Sequence, residues 1–210
     1  ATIGWTPSSD IVNALEPVAP TIQKGIFAFG DTGSYTNIKN LVGSNGVVAA
    51  DVTGVGTARG FMAASTYGTD KAIFGFGNTG SLTGVTNLVN NSGVVANDTA
   101  AVGTAKQDLS AAGYGTDLAI FAFGNTGSMS NSRNLVNSSG VVASDATGAG
   151  TARQRMGAAR YGTGTAIFAF GENGGKTTNK NLVSNTGVIA SDTSGAGTAL
   201  TSHMAAQYGT

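Results

Sequence analysis

Ala119-Ile-Phe-Ala-Phe-Gly-Asn-Thr-Gly127 is a short apolar run closed by a glycine-bearing turn, and the chain contains four versions of it. The others are Gly25-Ile-Phe-Ala-Phe-Gly-Asp-Thr-Gly33, Ala72-Ile-Phe-Gly-Phe-Gly-Asn-Thr-Gly80 and Ala166-Ile-Phe-Ala-Phe-Gly-Glu-Asn-Gly174. Gly30, Gly77, Gly124 and Gly171 stand 47 residues apart. A fixed period of this size marks a repeat architecture, in which each unit buries its apolar face against a neighbour. The register holds outside the run as well. It carries Asn40, Asn87, Asn134 and Asn181, then Asp51, Asp98, Asp145 and Asp192, then Tyr67, Tyr114, Tyr161 and Tyr208.

The register divides the chain into residues 1–22, an N-terminal arm or anchor, and residues 23–210, four 47-residue repeats. Within a repeat, short apolar segments alternate with turns rich in Gly, Asn, Ser and Thr, which predicts strands and not helices. The fourth unit reads as four strands, over residues 152–161, 166–171, 179–183 and 188–192. By period-two alternation the two Phe of the run are expected on one strand face, with Ile and the small residue between the Phe on the other. Ala105, Leu109 and Ala112 also fit a helical face, but Gly60 and Gly157 interrupt the matching segments, so strand is expected there. Residues 1–22 hold the only tryptophan, Trp5, and all three prolines; residues 10–16 are expected to form a short helix that Pro17 stops.

The expected class is all-β. Four-stranded units in tandem suggest a β-propeller of about four blades, with a β-solenoid or a five-bladed ring as alternatives. Closure has two solutions. Residues 198–210 have the pattern of a first strand, and the first unit lacks that strand; pairing the two closes a ring within one chain. Alternatively residues 14–22 supply the strand locally and the C-terminal segment pairs with another chain.

The segment Arg153-x4-Ala-Ala-x-Tyr-Gly followed by Ala-Ile-Phe-Ala-Phe-Gly resembles a degenerate kelch blade over residues 23–210. Kelch repeats end an apolar strand in a glycine doublet, with an aromatic further along; here one glycine preceded by Phe remains, and the later tryptophan is missing. The gapless, Asn/Thr/Gly-rich wording also resembles repeat proteins of bacteriophages, marine ones in particular. That resemblance implies a virion protein.

Composition narrows the chemistry. Eleven basic residues balance eleven acidic ones, so no basic footprint for nucleic acid exists. No apolar run approaches the roughly 18–20 residues of a membrane-spanning helix. The absence of cysteine excludes disulfides, thiolate metal sites and Cys nucleophiles. The chain starts at Ala1 without a methionine, which points to processing or to a piece of something longer. His203 is the only histidine, and its equivalents are Met62, Leu109 and Met156, so it reads as a surface or interface residue rather than a triad member. Asp51, Asp98, Asp145 and Asp192 each stand alone beside Thr or Ser, outside any calcium-loop spacing, and read as turn caps.

Residues that are alike in all copies serve packing, which all copies need; recognition is expected where the copies differ. The loops after the Phe run differ most, and they offer Tyr35, Leu82, Met129 and Lys176 at equivalent places, with Lys39, Arg133 and Lys180 just beyond. These seven are the candidate binding residues. The second variable stretch is Gly60-Phe-Met62, Gln107-Asp-Leu109, Gln154-Arg-Met156 and Thr201-Ser-His203. The expected function is that of a non-enzymatic structural or attachment protein of a virion or extracellular assembly, without cofactor or metal. Its expected partners are other assembly subunits, copies of itself, or a host surface glycan or receptor. The alternative is a carbohydrate-binding propeller lectin.

Overall fold

The computed structural model describes residues 24–208; the arm and the helix expected within it lie outside the described residues. The chain forms four antiparallel sheets of three or four strands, recurring at the 47-residue spacing. The first sheet is β1 (Gly25–Asp31), β2 (Tyr35–Val42) and β3 (Val52–Thr53). The second is β4 (Ala63–Tyr67), β5 (Lys71–Gly75) and β6 (Thr86–Val89). The third is β7 (Ser110–Tyr114), β8 (Leu118–Ala122), β9 (Ser132–Val136) and β10 (Ala146–Thr147). The fourth is β11 (Gly157–Tyr161), β12 (Thr165–Ala169), β13 (Asn179–Val183) and β14 (Thr193–Ser194).

Every sheet is a meander in which sequence neighbours pair. The segment with helical spacing is strand β7, because its residues pair with β8 from Ser110↔Ala122 to Tyr114↔Leu118. The outermost strand falls later than the sequence pattern suggests. Residues 188–192 contribute one bridge, Val183↔Ile189, and the paired strand is β14. In the second sheet that outermost strand is reduced to a bridge between Thr86 and Thr99. The first sheet has no strand on the free side of β1 among the described residues.

Consecutive sheets stack, with β7 packed between β4 and β11. The expectation that both Phe share a face is wrong, and backbone geometry explains why. Phe29, Phe76, Phe123 and Phe170 have φ between 62° and 65°. A residue in the left-handed region breaks the alternation of an extended strand. The second Phe therefore joins Ile on the face toward the following sheet, and the first Phe faces the preceding one. Phe74 thus packs with Ile26, Ala28 and Phe29. Phe121 packs with Ile73 and Phe76, and Phe168 with Ile120 and Phe123. At each joint the second Phe of one sheet meets the first Phe of the next, with centroids 5.3–5.6 Å apart. These tilted and edge-on pairs suit the ring quadrupoles.

The glycine after the second Phe carries the other half of the joint. Gly124 has φ +100°, and a Cβ there would lie 2.7 Å from the Gln107 carbonyl oxygen. Its N–H donates to the Arg153 carbonyl in the next unit. Gly124→Ala therefore meets backbone strain and a backbone clash together and is expected to cost about 2 kcal/mol. A urea titration checks it; an unchanged midpoint would show that the joint can open without loss.

Candidate functional site

Each joint between the described sheets holds a buried cation. Arg59, Lys106 and Arg153 occupy one register position and are fully buried, as are Asn87, Asn134 and Asn181. Arg59 donates through Nε to the Phe76 carbonyl at 2.9 Å and through a terminal nitrogen to Asn87 Oδ1 at 2.6 Å. Lys106 Nζ donates to Asn134 Oδ1 at 2.8 Å and Ser132 Oγ at 2.9 Å. Arg153 donates to Asn181 Oδ1 and, at 3.0 Å, to Asp192. Each cation also lies against the second Phe of the preceding sheet: 4.3 Å from the Phe29 centroid for Arg59, 4.9 Å from Phe76 for Lys106, 5.2 Å from Phe123 for Arg153.

The asparagine orients the group. Its amide nitrogen is held by the Asp carboxylate and by a carbonyl, Ala96 for Asn87, Ala143 for Asn134 and Ala190 for Asn181, so its oxygen is presented to the cation. The aspartates do not cap local turns as expected. Asp98 accepts from the N–H and hydroxyl of Thr57, 41 residues earlier; Asp192 does the same for Thr151, and Asp145 accepts from the Thr104 N–H. The aspartate thus clasps the last part of a sheet to the segment that leads into its first strand.

Burial pulls Arg59 down to about 10 and Lys106 to about 8, against the opposing pull of Asp98 and Asp145. Arg153 is lowered as well, again by burial first. For Asp98, Asp145 and Asp192 burial pushes upward, but hydrogen bonds from Thr and Asn, together with the nearby cation, outweigh it and hold each carboxyl below the usual range. These groups hold one another.

The seven candidate residues fall in two sets. Tyr35, Leu82, Met129 and Lys176 close tight turns opposite Asp31, Asn78, Asn125 and Glu172. Lys39, Arg133 and Lys180 lie within strands β2, β9 and β13, not at loop tips. Lys39 Nζ donates to the Gly93 carbonyl, and Arg133 to the Thr147 carbonyl. The two variable stretches meet where the Tyr35 ring packs edge-on against Phe61 at 6.3 Å, and the turn that precedes the loop meets the second stretch where Asn78 donates to Gln107 and Asn125 to Gln154. They form one rim of the stack. His203 packs edge-on against Phe170 at 5.3 Å.

Among the described residues no cluster of His, Asp and Glu is arranged to hold a metal ion, and no helix is long and apolar enough to cross a membrane. No protein-family model matches the chain, and no curated protein matches it. The buried cation was the feature that sequence reasoning passed over. Its signal was present in the in-register Thr57-Ala-Arg59, Thr104-Ala-Lys106 and Thr151-Ala-Arg153.

Proposed function

We propose that the chain is a non-enzymatic structural or attachment module of a virion or another extracellular assembly, and that it works through protein–protein contact. One observation carries this reading: among the described residues the stack presents an uncovered face at each end. Phe27 on the first sheet is 64% exposed, whereas its equivalents Phe74, Phe121 and Phe168 are at most 7% exposed. The same apolar pattern that makes the interior is therefore offered to solvent at an end, where it is suited to a partner. The sheets are read as blades of a kelch-like propeller, a reading supported by the side-by-side packing of the first strands β4, β7 and β11. The variable rim around Tyr35 and Phe61 is the place for contacts that differ from partner to partner.

Light scattering across a concentration series tests the proposal. Multimers, or copurification with a larger particle, are expected. A monodisperse monomer that binds nothing at high concentration would overturn it.

A further inference from the structure

The two uncovered faces are complementary halves of the joint that the chain builds three times internally. Between sheets, the outgoing half consists of the tyrosine that ends a first strand, a leucine, and the second Phe. The incoming half consists of the first Phe, a glycine, a Val or Ile, and the buried cation. Tyr67 and Leu88 of the second sheet both reach Gly140 of the third, and Tyr114 and Leu135 reach Gly187 of the fourth.

At the end of the fourth sheet an outgoing half stands open. Tyr161 is 41% exposed, against at most 4% for Tyr67 and Tyr114. At the first sheet an incoming half stands open. Beside Phe27, Val48 is 53% exposed, against at most 8% for Val95, Val142 and Ile189. A cleft of about 200 Å³ lies there, lined by Phe27, Ala28, Phe29, Ile38, Asn40 and Asp51. Asn40 and Asp51 are already hydrogen-bonded at 2.7 Å, in the arrangement that elsewhere receives the cation.

The C-terminal segment begins the next unit. Gly171 N–H donates to the Leu200 carbonyl, as Gly30, Gly77 and Gly124 donate to the carbonyls of Arg59, Lys106 and Arg153. Ser202 N–H donates to Arg155, as Arg155 does to Asp108 and Asp108 to Phe61. Residues 204–208 then match β11 by register, including Ala205, Ala206 and Tyr208, yet they pair with no strand, and Met204 and Tyr208 are almost fully exposed. Among the described residues they are a first strand without a sheet, and β1 is a sheet edge without a first strand.

We infer that the occupant of the first sheet's open face is the C-terminal end of a second copy of this chain, joined head to tail. Residues 204–208 of one copy add to β1 of the next with Met204 opposite Ala28, the register that Gly157 and Ala169 hold in the fourth sheet. Thr198 meets Asp51 and Phe170 meets Phe27. The residues preceding β1 are a poor substitute. In register, Val12 stands where the cation would be, and residues 1–23 contain no Lys or Arg. By register, Pro17 and Pro20 fall in the stretch that would have to pair, and a proline cannot donate to a strand ladder. Leu200 reaches the apolar wall of the cleft but leaves Asn40 Oδ1 without its cationic donor. The intermolecular joint is thus a weaker copy of the internal ones. Such a heterologous contact propagates, closing into a ring of subunits or running on as a filament.

The inference rests on the assembly reading and is tested apart from it by sedimentation velocity on the full chain. Phe27→Glu blocks one end and Tyr161→Glu the other. Each alone is expected to be monomeric, and an equal mixture to form one-to-one dimers and nothing larger. Leu200→Arg restores the missing cation and is expected to tighten self-association about tenfold, a gain that Asp51→Ala abolishes. Multimers that persist in both Glu variants would overturn the head-to-tail joint and leave the broader reading standing. An Ile26→Cys/Ala206→Cys variant that crosslinks within one chain would overturn it in favour of self-closure. A parent chain that neither self-associates nor binds a larger particle would remove both.

Discussion

Arg153→Ala is expected to lower the unfolding free energy by about 3–5 kcal/mol, the usual cost of breaking a buried polar pair by removing one partner. The loss has three sources. The guanidinium is fully buried, so truncation leaves a void between the third and fourth sheets. Asn181 Oδ1 is pinned by the Asn181 amide's bonds to Ala190 and Asp192, and it loses its donor without gaining water. The Phe123 ring loses the cation 5.2 Å from its centroid. Arg153→Lys supplies an internal control, because Lys106 already fills the same place at the preceding joint. It is expected to cost no more than about 1.5 kcal/mol. Urea denaturation of the two variants checks both numbers. An Ala variant as stable as the Lys variant would mean that the charge contributes nothing the aliphatic stem does not.

Much of the fold was legible in the sequence because the repeat is gapless and its strands are bounded by glycine. The 47-residue spacing, the all-β class and strand β7 followed from residue types alone. The faces of the Phe run did not. Alternation assumes extended φ at every residue, and nothing in Ala-Phe-Gly announces that the Phe is left-handed; the clue is that Gly follows it, where a second positive φ, 100° at Gly124, completes the turn. The aspartates were misread for a related reason. Asp192 has Thr193 beside it in sequence, but its partner is Thr151, brought to it only once the sheet has formed. The buried cations were hidden by a sound prior, since Arg and Lys are seldom fully buried. A cation recurring in register at three of four places, always behind Gly-Thr-Ala, outweighs that prior. The fourth place holds Leu200.

Raising the pH from 7.5 to 9.5 is expected to stabilise the protein, against the usual trend for alkaline conditions. Lys106 ionises at about 8 in the folded chain, against an ordinary value of 10.5, and burial is the first cause. Below pH 8 the folded and unfolded chains both carry the proton, and the folded one bears the full burden of a charge enclosed by Asn134, Ser132 and the Phe76 ring. Between about 8 and 10.5 the unfolded chain still binds the proton and the folded chain has released it. Stability rises with pH wherever the unfolded state binds more protons. The whole displacement corresponds to roughly 3 kcal/mol, of which about 2 kcal/mol is gained by pH 9.5. Tyr67 and Tyr114, raised by burial first, act in the opposite direction at more alkaline pH, because they hold their protons longer in the folded chain than in the unfolded one. Urea midpoints at pH 7.5, 8.5 and 9.5 measure the rise, and Lys106→Arg assigns it. Arginine stays charged over this interval, so the variant is expected to lose the rise while keeping the joint. A rise that survives in Lys106→Arg would place its origin in another group, and a flat parent profile would show that Asn134 and Asp145 hold the ammonium charged despite its burial.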